Sequence, residues 1–527
     1  MNSTPSILAI ALEAADPALL EKWCAAGELP NFTRLMAEGC YRKLHSWTAI
    51  SSGATWPSIT TGVSPAKHGM GFYHRQLRTG TYRLVKKYAD EIPCEFYWKQ
   101  LSAAGKRVTV FDIPAVYPLE GFNGAQIIGW GAEGLNWPQC SVPQSLFPEI
   151  FRKFGHHPLE GWYQKDIEEL DEWKDLRNKL IEGTRTRTRV AKWLLAQESW
   201  DHFLVGYAEP HWVGHYFFHL LDETSPRYDA AVARACSGAI LDIYREIDRA
   251  IGELTRLCPD STVLVFSNTG MGMNYSGYHL VPEILQRLGL GGDRGRRRAK
   301  RAPVLNKRWG AYAIKTMETI VSAENIERLR RRVPEKVWDK YTRIFLNLGN
   351  DWRNSRAFAL PSDFTAAIRI NLKGREPHGM VEPGADYDRL CADLTREFLA
   401  LVNPATGQTA VSEVVKLRER FQGPHIDDLP DLIVKWKGTH PIDSLSSPRI
   451  GTVTGVLPDK RSGAHKTHGF LIASGNGIRK SAELPTADIV DIAPTILHLQ
   501  GLPVPEYMDG RPLADMVAGR TVTTVAS

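Results

Sequence analysis

The fold class this sequence predicts is α/β, a largely parallel sheet with helices on its faces. Three observations predict it. Short β-branched runs alternate along the chain with stretches of helical apolar spacing. Composition is ordinary for a globular protein, 43% hydrophobic and 24% charged over 527 residues, which excludes disorder, collagen-like repeats and coiled coils. Several apolar runs also stop in polar or glycine-rich turns, where open α/β sheets present chemistry to a ligand.

Residues 7–12, Ile-Leu-Ala-Ile-Ala-Leu, are expected as a buried first strand, and residues 17–26 as the helix that follows. Residues 107–111 and 202–207 read as further core strands. Residues 228–257 carry apolar side chains at helical spacing without a proline, so a long helix is expected. Residues 261–267 form the next strand and run into Asn268-Thr-Gly-Met-Gly272. Later strands are expected at 368–371, 431–436 and 469–473, with a closing helix near 490–500. Two regions break the rhythm: 75–195 is rich in Trp, Tyr and Pro, and 287–350 is basic and helical. Both are expected as insertions over the sheet edge, the first of them a cap. No repeat or low-complexity linker divides the chain, so a single elaborated domain over 1–527 is expected.

Net charge is +6, from 65 Lys plus Arg against 59 Asp plus Glu, too mild to imply a nucleic-acid partner. The dense basic block 294–301 reads as a solvated loop. No run approaches the ~20 apolar residues of a membrane helix. Residues 7–12 lack a basic region before them, so a secretory signal is not expected. Seven scattered cysteines without a Cys-x-x-Cys pair fit a reducing compartment. A cytoplasmic enzyme with a small-molecule substrate is the expectation.

Four strand ends carry the chemistry: Glu13-Ala-Ala-Asp16, Tyr207-Ala-Glu-Pro-His-Trp-Val-Gly-His215, Asn268-Thr269, and Arg461-Ser-Gly-Ala-His-Lys-Thr-His468. In the second, Pro210 suits a first helical turn and places Glu209 at its mouth. His211 and His215 then lie at i and i+4 on one face, a spacing that brings two imidazoles to one metal ion. The ordinary alternative is a histidine capping or hydrogen-bonding inside the core. Thr55 precedes Trp56-Pro57, a helix start whose positive end favours phosphate or sulfate; the alternative is an N-cap threonine.

Thr55-Trp-Pro followed by Thr61-Gly-Val-Ser-Pro-Ala-Lys-His-Gly69 resembles the nucleophile segment of the alkaline phosphatase superfamily, in particular its type I phosphodiesterase and nucleotide pyrophosphatase branch. Similar in the same order are Gly27-Glu-Leu-Pro-Asn-Phe32, Asn371-Leu-Lys-Gly-Arg-Glu-Pro377, Asp491-Ile-Ala-Pro-Thr-Ile-Leu497 and Met508-Asp-Gly-Arg-Pro512. The resemblance implies a central, mostly parallel sheet sandwiched by helices, with the site above the strand C-termini. It also implies two zinc ions and a Thr or Ser nucleophile. At the first ion's positions this chain has His211, His215 and His465, a histidine replacing the family's aspartate. At the second ion's positions it has Glu13, Thr55, Asn268 and Thr269, where the family has Asp, the nucleophile, Asp and His.

The expectation is therefore one divalent ion on His211, His215 and His465, with Glu13 as a further ligand or base and Glu209 as another carboxylate that could serve. Zinc comes first among candidate metals, and iron or copper also suit such a set. Thr55 loses its metal activator and needs another base. Three functions stay open: a one-metal hydrolase or transferase of phospho- or sulfo-esters, a mononuclear enzyme with non-hydrolytic chemistry, and a pseudoenzyme. His68 reads as structural, His468 as a ligand or a neighbour of one, and Arg375–Glu376 as an ion pair.

Overall fold

In the computed structural model, residues 6–71, 76–85, 87–131, 138–160, 167–291, 352–481 and 483–518 are described. A nine-stranded sheet organises them. Its order is Ala487–Asp488, Cys40–His45, His468–Gly475, Thr262–Ser267, Ile7–Leu12, His202–Tyr207, Val108–Phe111, Gly124–Ile128, Cys140–Val142. The centre is parallel: Ile7–Leu12 pairs in register with both His202–Tyr207 and Thr262–Ser267. Only His468–Gly475 and the edge strand Cys140–Val142 run against their neighbours. Every residue of Ile7–Leu12 is buried, because helices cover both faces, and that is why the strand is apolar throughout.

The first helix begins where the sequence supplies a cap. Asp16 accepts from the Ala18 and Leu19 amides to start Pro17–Ala25, with Pro17 in the first turn. The expected helix at 228–257 is two, Ala230–Cys236 and Ala239–Leu257, parted at Ser237-Gly238. Glycine weakens a helix interior by about 1 kcal/mol, and the break falls beside it. The other expected elements lie within a few residues of their places, at Ala366–Ile370, Leu432–Trp436, His468–Gly475 and Ile492–Leu499.

Region 75–195 differs from its expectation. It supplies three strands of the main sheet and the long helix Leu170–Gln197, so it extends the sheet rather than capping it. Its aromatic residues Phe96, Trp98 and Trp130 are core side chains. The expected basic insertion at 287–350 lies, beyond residue 291, outside the described residues, as do the block 294–301, Trp137 and Trp162.

A second lobe has its own core. Ala357–Leu360, Ala366–Ile370, Leu432–Trp436 and Val411–Lys416 make an antiparallel sheet that packs on the helix Ala385–Leu399. The Arg375–Glu376 pair is buried there with further partners: Arg375 binds Asp431 at 2.7 Å, and Arg369 binds Glu376 at 2.6 Å.

Candidate active site

The chemistry collects at the C-terminal ends of the central strands. His202–Tyr207 leads directly into the helix Glu209–Phe217, which carries His211 and His215 one turn apart, both buried. Beyond Thr262–Ser267 the chain forms a short ribbon, Met271–Met273 paired with Gly463–His465, which delivers His465 to the same point. Two glycines permit the approach. A Cβ on Gly463 would stand 2.2 Å from the Gly214 carbonyl, and one on Gly214 would stand 2.7 Å from Met271 Cγ.

One ring nitrogen from each of His211, His215 and His465 lies within 4.8 Å of the other two. The Nε2 atoms of His211 and His215 are 2.8 Å apart, and the His465 ring centroid is 5.0 and 4.9 Å from theirs. His215 Nδ1 donates to the Gly463 carbonyl at 2.8 Å, which leaves its Nε2 lone pair facing the cluster. Neither ring nitrogen of His465 has a hydrogen-bond partner, although both are buried. Burial, with the Arg461 charge added, lowers His211 to about 3. Burial and neighbouring positive charge likewise hold His215 and His465 well below the ordinary histidine value. All three rings are neutral at physiological pH, the form that ligates a metal. Burying unpartnered imidazole nitrogens is costly unless something else engages them, and a divalent cation fits this donor set.

The half of the site around Thr55 is built differently. Thr55 is fully buried at the start of Thr55–Thr61, just after the turn Ser52–Ala54. Its Oγ1 donates to the Ser52 carbonyl at 2.8 Å and accepts from Asn268 Nδ2 at 3.0 Å. Asn268 Oδ1 in turn accepts from the Ala14 amide at 2.9 Å. Thr269 Oγ1 accepts from Thr48 Oγ1 at 2.8 Å and donates to the Lys466 carbonyl. The Asn268 amide aims N–H, not a lone pair, at Thr55. Glu13, at the end of the first strand, is buried but stands outside the compact three-histidine group.

Glu209 requires a correction. Its carboxylate turns away into a cluster with no solvent exposure, accepting from Arg187 Nε at 3.1 Å and bonded to His157 Nε2 at 3.0 Å. Arg187 Nη1 also binds Asp112 Oδ2 at 2.6 Å. Burial alone would raise the Glu209 carboxyl, but the Arg187 charge and the His157 bond outweigh it and hold it at about 2. Oε1 is committed to these partners while Oε2 is buried without a hydrogen-bond partner, and the residue stands outside the three-histidine group. Sequence gave no sign of Arg187, one arginine among several in a long helix. Asp112 alone had a signal, its place immediately after the strand Val108–Phe111.

His68 is structural: Nδ1 accepts from the Met70 amide at 3.0 Å and Nε2 meets Ser58 Oγ at 2.9 Å. His468 is exposed and packs edge-on against His45, 5.8 Å between centroids, outside the cluster.

The sequence profile for type I phosphodiesterases and nucleotide pyrophosphatases matches residues 7–438. The chain belongs to that family. It is accordingly a member of the alkaline phosphatase superfamily, a group of phosphoester hydrolases. Among solved structures it is similar to phosphonoacetate hydrolase from Sinorhizobium meliloti 1021 in complex with phosphonoacetate: 14% identity, TM-score 0.50, covering 93% of this chain and 94% of that one. It is also similar to murine ectonucleotide pyrophosphatase/phosphodiesterase 5 in complex with AMP, at 11% identity and TM-score 0.45, covering 98% of this chain and all of the other. At such identities the likeness speaks for the fold alone. No curated protein sequence matches the chain.

Proposed function

We propose that the chain is a metal-dependent hydrolase or transferase acting on a phospho- or sulfo-ester of a small molecule, with a single divalent ion, zinc in first place, held by His211, His215 and His465. The observation that carries this reading is the convergence of three neutral imidazoles, one of them without any protein partner, beside a Thr55 half whose polar groups satisfy one another. When bound, such an ion supplies Lewis acidity to an ester oxygen. Thr55 is the nucleophile in this reading. Asn268 fixes its hydroxyl by donating to it, and its proton rests on the Ser52 carbonyl, which is no base. Attack therefore needs a proton acceptor. We assign that role to Glu13, whose neighbour Ala14 holds Asn268 through its amide. In support of a cytoplasmic setting, all seven cysteines are free thiols. Among the described residues no helix is long and apolar enough to cross a membrane.

A second reading, non-hydrolytic chemistry at a mononuclear iron or copper ion, is favoured by one observation: the compact ligand set is all imidazole, with no carboxylate in it. Elemental analysis of the protein purified without chelator, paired with turnover of an activated aryl phosphodiester and an aryl sulfate, separates the two. One zinc per chain, with ester turnover that Thr55→Ala abolishes, supports the first reading. Iron or copper, with no ester turnover, supports the second. No metal, and none taken up on titration, sinks both and leaves a pseudoenzyme.

A further inference from the structure

The second lobe reaches into the site at one place. Between its strands Ala357–Leu360 and Ala366–Ile370 the chain makes a tight tip, closed by a 3.0 Å bond between the Ser362 and Thr365 hydroxyls. Asp363 at this tip accepts from Ser52 Oγ at 2.5 Å and from the Ser52 amide at 3.4 Å. Ser52 is the residue whose carbonyl accepts the Thr55 hydroxyl's hydrogen bond at 2.8 Å. Phe364, the next residue, is buried with its ring 5.0 Å from the His465 ring at 62°. Two adjacent side chains of one hairpin thus touch both halves of the site, which the main sheet mounts on separate strands.

Hydroxyl-to-carboxylate bonds are short and strong because the acceptor is charged. The Ser52–Ala54 turn is a single 3-10 turn that runs into helix Thr55–Thr61, with Ser51 bonded to the Gly53 amide and the Thr55 amide bonded to the Ser52 carbonyl. The 2.5 Å bond to Asp363 is the anchor from outside that adds to these in placing Ser52, and with it the carbonyl that directs the Thr55 hydroxyl.

We propose that Asp363 is a positioning residue for Thr55, acting through Ser52, so that the second lobe completes a site otherwise built from the main sheet. The inference rests on the nucleophilic role given to Thr55 above. Asp363→Ala removes the anchor, Asp363→Asn keeps a carbonyl acceptor for the Ser52 hydroxyl, and Ser52→Ala removes the bond from the other side. Metal content should stay at the wild-type value in all three.

The first readout is amide hydrogen exchange over residues 51–56 in the full chain. It should accelerate about tenfold or more in Asp363→Ala and in Ser52→Ala, but little in Asp363→Asn. The second is turnover of an activated aryl phosphodiester. Here kcat should fall about tenfold to a hundredfold in Asp363→Ala with KM nearly unchanged, and Asp363→Asn should restore most of it. The double variant Asp363→Ala/Ser52→Ala should be no worse than either single one. Unchanged exchange in Asp363→Ala overturns the proposal, and so does an equal loss of kcat in the Ala and Asn variants. If Asp363→Ala does not fold, Ser52→Ala and Asp363→Asn carry the same comparison. If the wild-type chain turns over no ester, the hydrolase reading fails while the exchange data still decide whether Asp363 holds the turn.

Discussion

The two halves of the site follow strands of one sheet, yet they answer opposite demands. On one side, His211, His215 and His465 bring ring nitrogens to a common point, and the bond from His215 Nδ1 to Gly463 points a lone pair inward. On the other, Thr55, Asn268, Thr269 and Thr48 spend donors and acceptors on each other and on nearby backbone. Hydroxyls and amides carry their own donors and can close a gap without an ion; neutral imidazoles crowded together cannot all satisfy each other. The difference between the three-histidine cluster and the hydrogen-bonded wall is thus a matter of donor chemistry.

The strongest way to break this comparison is to remove a histidine. His211→Ala or His215→Ala should strip the ion and all metal-dependent turnover, a loss beyond the ~10–100-fold typical of disturbing a ligand's outer partners. Full metal occupancy in both variants by elemental analysis would show that these imidazoles are not ligands. The converse change sharpens it: Asn268→Asp with Thr269→His should replace the closed wall by acceptors and raise metal stoichiometry from one ion per chain toward two. A count that stays at one would mean that placement as well as donor type keeps the second ion out.

Arg187→Ala tests what supports the histidine half. It leaves Asp112 and Glu209 as uncompensated buried carboxylates, so a loss of about 3–5 kcal/mol in unfolding free energy is expected from denaturant titration. A stability change within ~0.5 kcal/mol would contradict this supporting role of Arg187. The smallest effect is a pH slope. Burial lowers His68 and His202 to about 3, whereas in the unfolded chain each titrates near 6.5. The folded state keeps them neutral, so their contribution is complete above pH ~6.5 and declines as pH falls toward ~3, by up to about 1.4 kcal/mol per pH unit for each group. Neither lies in the metal cluster, so denaturation midpoints should show this slope with and without metal. A midpoint flat between pH 6.5 and 4.5 would refute it.

Two glutamates flank the same strands, and the contrast between sequence and structure is sharpest for them. Glu13 and Glu209 both follow core strands, and sequence could rank them only by nearness to chemistry. Glu209 is two residues from His211 yet faces Arg187, because its partners are Arg187 on helix Leu170–Gln197 and His157 before that helix. Region 75–195 failed for a related reason. Aromatic residues read alike whether they fill a core or line a cleft, and only the pairing of Gly124–Ile128 with Val108–Phe111 shows which.

The sequence by itself determined the α/β class, the central strands and the helical His211–His215 pair. Each of these is written in local periodicity, short spacing or residue type, which need no knowledge of distant neighbours. Tertiary structure alone decided which carboxylate serves which partner, that His465 rather than His468 joins the cluster, and that Asp363 meets Ser52. Those are contacts between residues from 22 to 311 positions apart, settled by strand order and by close approach at Gly214 and Gly463, where the absence of a side chain lets two backbones meet.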